Sequence, residues 1–112
     1  KLLIGGQWLD PASDAAIDIV NPADAARMGR LAEAAAADVD RAVAAARRAF
    51  EEGPWPAMKP GARALLLNRI ADAIAAHAEQ LAQLETLDNG KPIAFARSDV
   101  QAAIGAMRYY AG

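Results

Sequence analysis

The sequence contains no cysteine and only one histidine, His77. Without a thiol, these 112 residues hold no disulfide framework, no thiolate metal site and no cysteine nucleophile. Aromatic residues are scarce at 5%, and no apolar run has the length a membrane helix needs. An excess of either charge is missing too: 12 Lys and Arg against 14 Asp and Glu give a net charge of −2. That balance leaves no basic footprint for nucleic acid or for an anionic membrane. The hydrophobic fraction is 54%, yet much of it is alanine. Alanine favours helix but buries little area per residue, so a core made from this chain alone is expected to be thin. The length suits one domain or part of one. The opening Lys1-Leu2-Leu3-Ile4-Gly5-Gly6 is too short and too soon broken for a signal peptide.

Short strands come first. Leu2-Leu3-Ile4 and Gln7-Trp8-Leu9 flank Gly5-Gly6, a two-residue hairpin signal. Ala16-Ile17-Asp18-Ile19-Val20 reads as a strand stopped by Asn21-Pro22, and a weaker one is expected around Met28 to Ala32. From Asp38 the period changes to that of a helix. Val39, Val43, Ala46 and Phe50 form an apolar stripe, with Asp38 and Asp40 expected in the first turn. Arg47 with Glu51 and Arg48 with Glu52 are spaced for outer ion pairs. Gly53-Pro54-Trp55-Pro56 ends this helix, and Pro60 suits the first position of the next. Leu66, Ile70, Ala73, Ile74 and His77 mark its expected face, with a break near His77-Ala78. The pattern continues through Leu81 and Leu84 to Asn89-Gly90, residues that tolerate the left-handed conformation of a helix end. Pro92 blocks continuation, and a last helix carries Val100, Ile104, Met107 and Ala111 on one face.

Candidate chemistry is sparse. His77 borders an apolar face with no Ser or Cys partner, and reads as a structural residue rather than a general base. Gly5-Gly6 is followed by no helix start, so it is a turn and not a phosphate cradle. Glu85 and Asp88 stand at i,i+3 and can face one site, as acid–base groups or as oxygen ligands for a hard cation. A solvated face or a helix-end contact is the simpler reading of that pair. Trp8, Tyr109 and Tyr110 read as packing anchors.

Several segments, in order and at matching spacing, carry a resemblance. They are Ile4-Gly5-Gly6-Gln7-Trp8, Val20-Asn21-Pro22-Ala23, Asp38-Val39-Asp40-Arg41-Ala42-Val43 and Ala46-Arg47-Arg48-Ala49-Phe50. Pro54-Trp55 and Leu66-Leu67-Asn68-Arg69-Ile70-Ala71-Asp72 follow. Leu84-Glu85-Thr86-Leu87-Asp88-Asn89-Gly90-Lys91-Pro92 and Met107-Arg108-Tyr109-Tyr110-Ala111-Gly112 complete the set. Together they resemble the N-terminal region of the NAD(P)-dependent aldehyde dehydrogenases, of the betaine-aldehyde or general type. The departures are local: Ala35 and Lys59 stand where capping residues are usual, and Ala25 where the family has a turn glycine.

The resemblance implies the α/β aldehyde dehydrogenase fold, N-terminal portion only, with a hairpin and short strands over 1–32 and three to four helices over 36–112. It implies a truncated chain, part of the cofactor-binding domain of a cytoplasmic homodimer or homotetramer. Such enzymes oxidise an aldehyde to a carboxylic acid through a cysteine thiohemiacetal and pass hydride to NAD or NADP. No residue here matches the thiol, the dinucleotide cradle or the catalytic glutamate, so this chain alone is not expected to be active. Carried over by position, Ile19 and Val20 as carbonyl donors and Asp88 as carboxylate would hold K+ or Na+. Ala102 and Ala106 would leave the wall of the substrate entrance open, or else allow close helix packing. The partner implied is a small aldehyde, with neither nucleic acid nor membrane. The alternative class is a non-catalytic structural or interaction protein, or a helical module sharing these motifs.

Overall fold

A computed structural model describes all of residues 1–112. Four strands, β1 (Leu2–Ile4), β2 (Gln7–Leu9), β3 (Ala16–Val20) and β4 (Arg27–Ala32), come first. Five helices follow: α1 (Ala36–Glu51), α2 (Pro54–Ala57), α3 (Pro60–Ala76), α4 (Ala78–Asn89) and α5 (Ile93–Ala111). This is the mixed α/β arrangement read from the sequence; α2 is a single turn, which leaves four long helices. No helix is long and apolar enough to cross a membrane. The chain divides into two compact units, one of Lys1–Ile19 with Arg27–Met58 and one of Val20–Ala26 with Lys59–Gly112.

In the first unit, Gly5 and Gly6 adopt φ of +58° and +78°. A two-residue turn with both φ positive matches the twist of the strands it joins. It sets the antiparallel register Leu2 to Leu9, Leu3 to Trp8 and Ile4 to Gln7. β3 and β4 form a separate two-stranded sheet. The expected stripe on α1 exists but has no cover within this chain: Val39, Val43 and Phe50 are 51%, 62% and 71% exposed. Asp38 sits in the first turn as expected, whereas Asp40 falls beyond it. Arg47 pairs with Glu51 at 3.5 Å, while Arg48 forms no ion pair with Glu52. No apolar side chain of this unit is buried, and its one buried residue is Asp38.

The second unit has an apolar core. Ala71 of α3, Ala82 of α4, and Ala96, Val100 and Ile104 of α5 are buried, with Ile74, Ala78, Ile93 and Met107 packed around them. The face of α5 is therefore the one its periodicity indicates. The face of α3 is the expected one only at Ile74, which packs against the core. Leu66, Ile70, Ala73 and His77 are exposed, and the inward positions of α3 beside Ile74 are Ala64, Leu67 and Ala71. On α4, Leu81 and Leu84 likewise stay exposed while Ala82 is buried. Apolar residues surround α3, so periodicity alone leaves its orientation open. The closest approach selects the smallest side chains, because helix axes come together where little volume intervenes.

His77 closes α3 and opens α4 with φ −114° and ψ 15°, where the sequence breaks its pattern. α4 ends at Gly90, whose φ of +78° is the left-handed cap. A Cβ there would stand 3.1 Å from Pro22 Cγ, so the Asn21–Pro22 turn lies against this helix end.

That turn also answers the missing glycine. Ala25 keeps the left-handed conformation, with φ of +58°. The loop holds it there through Ala25 N–H to Asn21 O at 2.8 Å and Asn21 N–H to Ala26 O at 2.9 Å. Alanine in this region costs roughly 1–2 kcal/mol, and glycine returns part of that as unfolded-state entropy. Ala25→Gly should raise unfolding stability by roughly 0.5–1 kcal/mol. A denaturant midpoint equal to or below that of the wild type would contradict the strain.

Candidate functional site

Asp38 is the most constrained carboxylate in the chain. Its side chain has no exposed surface. It accepts hydrogen bonds from Ala12 N–H at 3.0 and 3.2 Å and from Ala35 N–H at 2.9 Å, and it pairs with Arg41. Ala35 offers no side-chain acceptor at the start of α1, so only the reciprocal half of a capping arrangement exists, and Asp38 supplies it. The Ala12 amide, Arg41 and the Ala35 amide together hold its carboxyl below the ordinary carboxylate value. The same carboxylate fills the N-terminus of α1, the place where a phosphate would otherwise be received.

The second unit carries three ionic ties on α5. Arg97 reaches Glu79 of α4 through two hydrogen bonds, at 2.8 and 2.9 Å. Arg108 reaches Asp72 of α3 at 3.2 Å. Lys91, in the link between α4 and α5, pairs with Glu85 of α4 and with Asp99 of α5. The Asp99 and Glu85 carboxylates raise the Lys91 ammonium above its ordinary value. Arg97, helped by Gln83, pushes Glu79 down from 4.5 to about 2.

Glu85 and Asp88 do not act as a pair. Glu85 turns to Lys91, while the Asp88 side chain is exposed and makes no hydrogen bond. Val20 and Asp88 fall in the same compact unit; Ile19 falls in the other. No group of three or more His, Cys, Asp or Glu side chains is gathered for a metal. His77 is exposed. Tyr109 and Tyr110 meet edge to face with centroids 5.2 Å apart, and both are 77% exposed. Ala102 and Ala106 are exposed on α5, away from the stripe that packs on α3 and α4.

The model of the aldehyde dehydrogenase family matches residues 8–112. The Bacillus subtilis (strain 168) protein DhaS is 50% identical over 113 residues, a match covering 100% of this chain and 23% of that protein. Among solved structures, an NAD-dependent aldehyde dehydrogenase from Sinorhizobium meliloti is 44% identical with a TM-score of 0.92, over 98% of this chain and 22% of that one. A betaine aldehyde dehydrogenase point mutant from Staphylococcus aureus, solved with NAD+, is 37% identical with a TM-score of 0.94, over 98% and 22%.

The chain belongs to the aldehyde dehydrogenase family. It spans about a quarter of the length of the relatives it matches. Within this aldehyde dehydrogenase chain, the ties that sequence reasoning missed are Asp38 to Ala12, Arg97 to Glu79, Arg108 to Asp72 and the Lys91 bridge. Asp38 left a trace, an acid three residues into a helix whose preceding residue has no cap. The two arginine ties join residues 18 and 36 apart, beyond any periodic pattern, and the Lys91 bridge crosses the break between two helices.

The depressed Glu79 predicts acid sensitivity. Its ion pair contributes fully above the ordinary 4.5 and is lost as pH falls towards about 2. Asp38 adds loss of the same sign below its own ordinary value of 3.8. Glu79 is more than half exposed, so screening discounts the pair, and Glu79→Gln should flatten the fall of melting temperature between about pH 4.5 and 2 by a small amount that disappears at high salt. Equal slopes for variant and wild type would contradict this.

Proposed function

We propose that the chain is the N-terminal segment of an NAD(P)-dependent aldehyde dehydrogenase, placing the outer hairpin and the first helices beside the cofactor domain. The observation that carries this is the end-to-end match, in sequence from residue 8 to residue 112 and in backbone at a TM-score of 0.92. In this reading the parent oxidises an aldehyde to a carboxylic acid through a cysteine thiohemiacetal on residues outside this chain. The Staphylococcus aureus relative supports a reactive thiol, since one of its cysteines is modified by β-mercaptoethanol. A nicotinamide dinucleotide would supply the hydride acceptor, as the NAD+ bound to that relative suggests. The chain's own residues do not fit that group: Gly5-Gly6 is a hairpin turn, and the N-terminus of α1 is filled by Asp38. The dinucleotide is then held by residues elsewhere in the parent. A cytoplasmic homodimer or homotetramer acting on a small aldehyde completes the proposal by family analogy.

Two positions in this chain would serve the parent. Asp88 is a carboxylate without a hydrogen bond, at a helix end whose carbonyls favour a cation. With the carbonyls of Ile19 and Val20 it would hold K+ or Na+, whose preference is for oxygen ligands. Ala102 and Ala106 would form the open wall of the substrate entrance; their exposure on α5 disfavours a role in helix packing within this chain.

The test is steady-state reduction of NAD(P)+ by the full-length parent, with mass spectrometry of the aldehyde adduct. Aldehyde-dependent turnover and an adduct on a cysteine outside residues 1–112 are expected, with no turnover from the 112-residue chain. A parent with neither turnover nor adduct would indicate the structural alternative. Thermal stability of the parent should also depend on K+ or Na+ at constant ionic strength, and Asp88→Ala should abolish that dependence. If the unsubstituted parent responds to neither ion, the cation role is wrong.

A further inference from the structure

The three ionic ties on α5 are not equivalent. Arg97 with Glu79 and Arg108 with Asp72 join side chains that are all more than half exposed, at 55% and 53% and at 56% and 70%. Solvent screening leaves such pairs little energy. Lys91 and Glu85 are only 32% and 28% exposed, and Lys91 holds two carboxylates at once. Glu85 lies one turn before the end of α4, and Asp99 lies in the second turn of α5. The ammonium therefore spans the joint between the two helices. The backbone at the joint is held as well: Lys91 N–H donates to Asn89 Oδ1 at 2.8 Å, and Pro92 fixes φ at −55° on entry to α5.

The apolar contact at this joint is poor at setting rotation. The one buried residue that α4 brings to it is Ala82, which offers few ridges for a neighbouring groove to grip. A polar tie can supply the register that such a surface leaves loose. Asp99, Ala102 and Ala106 fall at i, i+3 and i+7, on one side of α5. The carboxylate that Lys91 grips is one turn from the first alanine of the entrance wall.

We infer that Lys91 is a positioning residue for the substrate entrance: by bridging Glu85 and Asp99 it fixes the rotation of α5 that places Ala102 and Ala106. This rests on the proposed reading of that α5 face as the entrance. The effect is steric and acts on binding. A bulky aldehyde that must touch the wall depends on where the wall stands, and acetaldehyde does not. Losing the bridge lets α5 rotate and slide on its alanine contact, so a bulky substrate must reorder the wall as it binds.

The experiment uses the full-length parent with Lys91→Met, Lys91→Arg and Asp99→Asn, and with Ala102→Leu as a reference for wall geometry. Asp99 is more than half exposed, so its variant folds even where Lys91→Met is unstable. Two readouts are taken: amide hydrogen exchange over residues 93–111, and KM and kcat for acetaldehyde and for a bulky aromatic aldehyde. Lys91→Met and Asp99→Asn should speed exchange in α5 and raise KM for the bulky aldehyde about tenfold, with kcat and the acetaldehyde KM unchanged. Lys91→Arg should restore both readouts. Unchanged exchange in α5 overturns the bridge. Faster exchange with an unaltered KM ratio overturns the positioning role and leaves a structural tie. If Ala102→Leu leaves the KM ratio untouched, or if the parent turns over no aldehyde, the entrance reading fails, and exchange still decides the bridge.

Discussion

Ala71, Ala82 and Ala96 have no exposed surface, and the space they leave decides how closely α3, α4 and α5 approach one another. Each contributes a single methyl group, worth under about 1 kcal/mol of transfer energy. What they provide is proximity, because helices meeting at alanine come closer than helices meeting at leucine. Val100 and Ile104 can then reach across from α5 and close the core. Everything else in this unit follows from bringing α5 back onto its predecessors. α4 has to stop, Gly90 has to take a left-handed conformation, and Pro92 has to begin a new helix. A side chain at Gly90 would be strained and would press on Pro22, so the helix end and the Asn-Pro turn constrain each other.

The first unit is held differently. It buries no apolar side chain, and its one buried group is a carboxylate that satisfies three backbone and side-chain donors. A buried carboxylate is tolerated only when its acceptor capacity is filled, and at Asp38 it is. In the proposed parent the uncovered stripe of Val39, Val43 and Phe50 would find its cover among residues outside this chain. The same holds for Leu66, Ile70, Leu81 and Leu84 in the second unit, which are apolar and exposed. A thin core and many exposed apolar residues are what a chain spanning about a quarter of its relatives would show.

The backbone was legible because local chemistry dictates it. Gly5-Gly6 requires a hairpin, Asn21-Pro22 stops a strand, Pro60 opens a helix and Asn89-Gly90 closes one. The face of α5 was legible because its large apolar residues form a single stripe. On α3 they form several, and the one fully buried position is Ala71, an alanine that no hydrophobicity scale ranks above leucine. The ionic ties were not legible, since the partners of Glu79 and Asp72 come from α5, 18 and 36 residues away. For the candidate site the residues gave positions and the family gave roles. In this chain alone Asp88 is an ordinary helix-end acid and Ala102 an ordinary exposed alanine, and the roles proposed for them come from the family resemblance.

The central physical claim is that one unit rests on an alanine-lined apolar core and the other on a single buried carboxylate. Residue-resolved amide hydrogen exchange on the 112-residue chain tests it most directly. The amides of Ala71, Ala82, Ala96, Val100 and Ile104 should exchange slowest and at a common rate. Asp38→Ala should strip protection from residues 36–51 and leave residues 93–111 as they were. Protection of α1 equal to that of α5, or loss of both together on removing Asp38, would contradict the account.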